Sequence, residues 1–168
     1  ALSKQVEKQS EEVGIPIEID KQDADYMVML SSMEIIGFPE IIGALAKLFK
    51  QAGHTWTISS KAYEATNVGI QIGSKDIASK LVQRVVDAAE ELNVKCVISP
   101  ECGHAYQAIR WEGPNLIGRP YKFDVIHIVD LLETWRKEGK IRTKGGLGDK
   151  VTYHDPCQIS RRGGLDRP

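Results

Sequence analysis

The sequence predicts a doubly wound α/β fold: a mainly parallel sheet with helices on both faces, three-layered and Rossmann- or flavodoxin-like. Three observations predict it. Short apolar runs of strand type recur along the chain. Amphipathic stretches of helical period separate them, which implies right-handed crossovers between parallel strands. Polar and cysteine-bearing turns follow the apolar runs, where folds of this kind gather their working residues.

The elements follow in order. Residues 4–13 (KQVEKQSEEV) are polar and helix-prone and end at Gly14, a lead-in helix. Residues 15–19 (IPIEI) read as a short edge strand, because Pro16 removes a ladder donor. Residues 26–30 (YMVML) are the first central strand, a continuous apolar run of the kind buried on both faces. Pro39 opens a helix over 39–52 and Gly53 closes it. Its apolar stripe is Ile41, Ile42, Leu45, Leu48 and Phe49.

Residues 54–59 (HTWTIS) alternate and predict a second strand, and 61–73 (KAYEATNVGIQIG) read as a loop. The longest helix spans 74–92, with Ser74 as N-cap and Asp76 in the first turn. Ile77, Leu81, Val82, Val85, Val86 and Ala89 form its buried stripe. A third strand spans 95–99 (KCVIS) and leads into a Cys-Gly-His turn. A fourth at 122–128 runs into a helix over 130–138, and a fifth at 150–154 (KVTYH) ends at Asp155-Pro156-Cys157.

Composition narrows the function. The chain has 168 residues, 42% hydrophobic and 27% charged, with 22 basic and 23 acidic side chains and a formal net charge of -1. That balance carries no nucleic-acid footprint and no polybasic membrane signal. No apolar run approaches the roughly 20 residues that span a bilayer, and no signal peptide is visible. The start at Ala1 reads as a processed or excised chain. Three cysteines are too few and too odd for a disulfide framework, so a reducing, cytoplasmic setting is expected. Gly145-Gly146-Leu147-Gly148 precedes a predicted strand and fails the dinucleotide fingerprint. It reads as a connector. Arg161-Arg162-Gly163-Gly164 resembles a phosphate loop only loosely, and HExxH, GxSxG and CxxC are absent.

Two segments carry a resemblance. Residues 151–157 read V-T-Y-H-D-P-C and residues 99–103 read S-P-E-C-G, with Ala52-Gly53-His54 ahead of a strand. Together they resemble the cysteine-rich CCG modules of heterodisulfide reductase-related iron–sulfur proteins. Within that family SSKAYEATNVG and ECGHAYQAIRWEG are most similar to DsrK-type subunits, the cytoplasmic partners in sulfite-reduction-associated membrane complexes. A family module has one cysteine, then a cysteine pair, then C-x-x-C, each at a strand's carboxyl end. Its cysteines hold a [4Fe–4S] type cluster, for which thiolates are suitable soft ligands.

Laid onto this chain, the first cysteine falls at Ser32 and the pair, 31 residues later, at Glu64 and Ala65. Another 33 residues, slightly short of the family spacing, lead to Ser99 and Cys102. Only Cys102 is a thiol, so the module keeps the fold and loses most ligands. Cys157 falls on the first cysteine of a second module, whose other cysteines are expected beyond Pro168. The resemblance thus implies a lead-in over 1–23, a degenerate first module over 24–143, and a connector with the start of a second module over 144–168. In the intact protein Cys157 and Cys102 are the implied cluster ligands, with His154 and His104 able to tune them. No cluster is expected on this fragment alone.

Other readings of these residues are plainer. Cys96, mid-strand among Val94, Val97 and Ile98, reads as a core thiol. Cys102 reads equally as a buried turn residue. His54 and His127 read as structural, Glu64 as a solvated loop residue rather than a hard ligand, and Asp155 as a turn former. Three functions are carried forward. The first is an iron–sulfur electron-transfer subunit handling a dithiol or sulfur-carrier substrate. Other subunits of a redox complex would hold it at the inner face of the membrane, without inserting it. The second is a non-catalytic interaction domain, and the third a flavodoxin-like small-molecule binder.

Overall fold

Four short apolar runs pair into one sheet, and the amphipathic stretches between them cross over its two faces. The computed structural model describes residues 1–63, 66–146 and 148–165. In chain order the elements are α1 (Leu2–Val13), β1 (Tyr26–Val28), a π-helical turn (Met33–Gly37), α2 (Glu40–Ala52), β2 (Trp56–Thr57), α3 (Thr66–Gln71), α4 (Lys75–Glu91) and β3 (Cys96–Ser99). A long helical run follows: α5 (Gly103–Gln107), a second π-helical turn (Ala108–Glu112) and α6 (Gly113–Ile117). β4 (Asp124–His127) and α7 (Ile128–Lys137) complete the order.

The strands lie in the order β2-β1-β3-β4 and every pair is parallel. Tyr26 stands opposite Trp56 on one side and Cys96 on the other, and Cys96 opposite Asp124, so the strands begin level. The chain winds outward from β1 to β2, then returns to add β3 and β4 on the other side. That reversal makes the β1–β3 boundary the topological switch point, outside whose carboxyl end ligands bind in open α/β sheets.

Burial explains the layers. Val28, Leu30, Ile58 and Ile98 pack with Ile42, Leu45 and Phe49 of α2, Leu2 and Val6 of α1, and Leu131 and Trp135 of α7. Met27, Met29, Val97 and Val125 pack on the other face with Val82, Val85, Val86 and Ala89 of α4 and with Ala105 and Ile109. The three-layer architecture is therefore as the sequence predicts. An aromatic cluster seals the first face. The Phe49 and Trp56 rings stack at 5.1 Å between centroids, Trp135 meets Phe49 edge-on at 5.2 Å, and His54 stacks on Trp135 at 5.4 Å.

Helix ends follow their punctuation. Ser74 Oγ accepts from Ile77 N, and Gly53 closes α2 in the left-handed region at φ 73. The differences are local. Residues 150–154 form no strand: Val151 and Tyr153 are 74% and 72% exposed, so that stretch gains no burial to hold it on a sheet. Residues 15–19 contribute a single bridge, Ile19 to Ile58, rather than a strand. Ile77 is exposed, outside the buried stripe of α4. The loop over 61–73 contains α3, which crosses α4 where Gly69 meets Ala78. A Cβ on Gly69 would lie 2.1 Å from Ala78 N, so the crossing requires a residue that helix propensity disfavours.

Phe49 is fully buried between strand and helix aromatics. Phe49→Ala is expected to destabilise the chain by about 3–5 kcal/mol, read as a lower urea midpoint. An unchanged midpoint would mean that the aromatic cluster does not hold this face.

Candidate functional site

The carboxyl ends of β1 and β3 deliver the residues of interest to one edge. Val28 pairs with Ile98, and Met29 N donates to Ile98 O at 3.0 Å, so the chain beyond each strand leaves the sheet at the same level. From β1 come Ser31, Ser32 and Glu34, and from β3 come Ser99, Glu101 and Cys102. β4 ends beside them at His127.

Ser31 and Glu34 form a reciprocal cap. Ser31 N donates to Glu34 Oε2 at 2.7 Å, and Glu34 N donates to Ser31 Oγ at 3.4 Å. Glu34 is 3% exposed, and its other oxygen, Oε1, is buried with no hydrogen-bond partner. Burial raises its pKa above the usual carboxylate range, and the Glu101 charge raises it further. Ser32, by contrast, is exposed.

Across the switch point Cys102 caps α5, with Sγ accepting from Ala105 N at 3.4 Å, and Ser99 Oγ donates to Cys102 O at 3.3 Å. Cys102 lies three residues beyond β3, at a strand's carboxyl end as the sequence reading places it. His127, 2% exposed, caps α7 by accepting from Val129 N through Nδ1 at 3.3 Å. That bond fixes the tautomer: Nε2 carries the hydrogen and faces Glu101 O at 3.4 Å. The Tyr106 ring meets the imidazole edge-on at 5.4 Å. His127 is thus a structural cap, as read from the sequence. His54, the other histidine so read, packs in the aromatic cluster at the opposite end of the sheet.

The Cys157 segment reaches this edge by another route. Cys157 is exposed and follows an exposed stretch, not a buried strand. Its backbone is held by a turn in which Ser160 N donates to Pro156 O at 2.9 Å and Arg161 N to Cys157 O at 3.2 Å. The turn docks on α5: a Cβ on Gly103 would come within 2.7 Å of Ile159 Cγ1 and 3.1 Å of Gln158 Cβ. Ser160 is buried, and Trp111 Nε1 donates to Gly163 O at 3.4 Å. The residues after Cys157 therefore sit against the residue after Cys102. His104 and His154 are both exposed. Cys96 is a core thiol, 7% exposed and pushed up to about 12 by burial.

The first-module positions do not fit an iron–sulfur cluster. Ser32 and Ser99 supply hydroxyls, Glu64 and Ala65 lie outside the described residues, and Cys102 alone supplies sulfur. Among the described residues no three His, Cys, Asp or Glu side chains gather as a metal site. A four-iron cluster takes four thiolates. Also among the described residues, no helix is long and apolar enough to cross a membrane.

His127 makes stability depend on pH with a definite sign. Burial holds its pKa below the ordinary 6.5. Above 6.5 folded and unfolded states are both neutral and stability is full. Below it the unfolded chain takes the proton first, and stability falls with pH until the folded imidazole titrates as well. His127→Asn keeps a capping oxygen without the titration. The wild-type urea midpoint is expected to fall between pH 7 and pH 5 more steeply than that of His127→Asn. Parallel curves would remove His127 as the cause.

Known proteins share part of this chain. No model of a known protein family matches it, and no solved structure does. One subunit of the dihydromethanophenazine:CoB–CoM heterodisulfide reductase of Methanosarcina acetivorans is 33% identical over 98 residues, 58% of this chain and 24% of that protein. Hdr-like menaquinol oxidoreductase iron–sulfur subunit 2 of Archaeoglobus fulgidus is 29% identical over an alignment covering 88% of this chain and 33% of that protein. The EtfAB:quinone oxidoreductase of Syntrophomonas wolfei is 29% identical over 127 residues, 74% of this chain and 17% of that protein. The chain spans about a quarter of the length of the heterodisulfide reductase subunits it matches. It is related in sequence to these heterodisulfide reductase subunits and to Hdr-like iron–sulfur oxidoreductases.

Proposed function

We propose that this chain is part of an iron–sulfur electron-transfer subunit of a heterodisulfide reductase-like complex, in which Cys157 ligates a [4Fe–4S] cluster in the intact protein. The observation that carries the reading is an exposed thiol in the V-T-Y-H-D-P-C stretch, held on a hydrogen-bonded turn that docks at the sheet's carboxyl edge. Similarity to oxidoreductase subunits that include iron–sulfur proteins supports it. When bound, a cluster supplies one-electron transfer. The chain's own part is to aim a sulfur: Pro156 fixes its own φ and restricts Asp155 to extended backbone, and the turn bonds hold Cys157. His154 and His104, and Cys102 as a further ligand, belong to the same proposal. The 24–143 unit then serves as scaffold.

The finer reading places the intact protein among DsrK-type subunits of dissimilatory sulfur metabolism. There it exchanges electrons with a dithiol or sulfur carrier at the cytoplasmic face of the membrane, attached through partner subunits. A second reading, a non-catalytic interaction domain, is favoured by a separate observation. Met33, Ile36 and Phe38, in and just after the first π-helical turn, are 63%, 66% and 52% exposed, an apolar patch of the kind that docks on proteins.

Cys157→Ser in the intact protein is expected to lower bound iron and electron transfer while leaving the fold in place. Cys96→Ser is expected to cost about 1–3 kcal/mol of stability by placing a hydroxyl in the core, with iron unchanged. Iron analysis and electron paramagnetic resonance, beside urea unfolding, separate the two. Full iron in Cys157→Ser would leave the interaction domain as the better reading.

A further inference from the structure

A cavity of about 380 Å³ lies between α7 and the turn that carries Cys157, and the cluster reading does not use it. One wall is the side of α7 from Val129 to Lys137, and the other is the chain on either side of Cys157, from Tyr153 to Leu165. Sites for small molecules run from about 300 to 1,000 Å³, so this space is large enough for one. Its wall is apolar at Val129 and Ile159, and Tyr153 adds an aromatic ring. The fold itself uses neither of two further features. Ser160 is 6% exposed, yet among the described residues nothing hydrogen-bonds its hydroxyl. Buried hydroxyls are normally paired, and this residue lines the cavity. The second feature is charge. Three carboxylates and one ammonium line the space: Asp130, Glu133, Asp155 and Lys137. Glu133 is already neutralised by Arg136 at 2.6 Å and Lys137 at 3.3 Å. Asp130 and Asp155, on opposite walls, make no ion pair with any described residue.

We propose that this cavity binds a small organic cation, an amidinium or amine carried on an apolar body. Asp130 and Asp155 supply the counter-charge from opposite walls, as acceptors of charge-assisted hydrogen bonds. The Tyr153 ring offers its face to the same cation. Val129 and Ile159 cover the apolar body and remove it from water. The Ser160 hydroxyl gains the partner it lacks by accepting from an N–H of the ligand. An anion would meet two like charges, and a neutral molecule would leave both carboxylates uncompensated, so the wall selects against each. A bound cation ties the Cys157 segment to α7, since each of the two walls contributes a carboxylate. The site stands whether or not Cys157 holds iron.

Benzamidine is the probe, titrated into the purified 168-residue chain by calorimetry while amide shifts are followed by nuclear magnetic resonance. Benzamide, its neutral counterpart of nearly the same shape, and the anion benzoate are the controls. One saturable benzamidine per chain is expected, with the largest shifts at 129–137 and 153–165. Benzamide is expected to bind roughly tenfold more weakly, because it leaves the carboxylates without a charge partner, and benzoate not to bind. Asp130→Asn and Asp155→Asn alter exposed side chains, so the fold is retained. Each is expected to weaken benzamidine by about fivefold. Ser160→Ala removes a hydroxyl that bonds nothing in the fold, and is expected to weaken benzamidine by about threefold with the urea midpoint not lowered. Absence of saturable binding, equal affinity for benzamide, or affinity unchanged in either aspartate variant overturns the site. None of these outcomes depends on the iron content of Cys157→Ser.

Discussion

The parallel pairing of β1 with β3 governs what this molecule presents. Two strands distant in sequence are locked level, Val28 against Ile98, and both are buried on both faces. Each must then turn out of the sheet at the same edge, with its next polar residues beside the other's. The helices enforce the pairing by burial. Phe49, Trp56 and Trp135 close one face, and the α4 stripe closes the other. Were β1 to slip by one residue, Met27 and Met29 would exchange faces with Val28 and Leu30, and both cores would lose their fit.

That constraint sorts the three cysteines. Cys96 lies within β3, where burial suppresses its ionisation and leaves it only packing. Cys102 lies past the strand end, where its sulfur caps the next helix. Cys157 arrives from outside the sheet and depends on the fit of its turn against Gly103, which leaves no room for a side chain. Placement by backbone, more than residue type, gives the three thiols different chemistry.

Most of the fold was legible because burial and punctuation agree along the chain. The α2 and α4 stripes, Gly53, Ser74 and the four sheet strands all state in sequence what packing then uses. The failures have separate causes. Residues 150–154 have strand composition but no buried surface to join, so propensity without burial misleads. In α3 a glycine inside a helix hides the helix, and only the crossing with Ala78 shows why it is there. At the site, the strand-end placement of Cys102 was legible, while Glu34 was missed. A signal was present, since Ser31-Ser32-Met33-Glu34 is an S-x-x-E capping box. The sequence does not show that the π-helical turn buries that glutamate with one oxygen unsatisfied.

The two ends of the sheet differ in how well their polar groups are satisfied. At the amino end Asp25 accepts from Lys95 Nζ at 2.7 Å, Thr55 N at 3.0 Å and Thr55 Oγ1 at 2.9 Å. Lys95 above all, with the threonine bonds, holds its carboxyl well below the usual carboxylate range. That network ties the starts of β1, β2 and β3 together, and among the described residues none of its buried side-chain polar atoms lacks a partner. The carboxyl end has the opposite character. Its buried carboxylate is half satisfied, a second carboxylate raises its cost, and apolar side chains of the adjoining π-helical turn face solvent. A fold that needed only stability would gain by treating both ends alike, since an unpaired buried oxygen costs about 1–3 kcal/mol. That a cost of this size stands at the switch point, and not at the saturated amino end, is the physical reason to place function at the carboxyl edge.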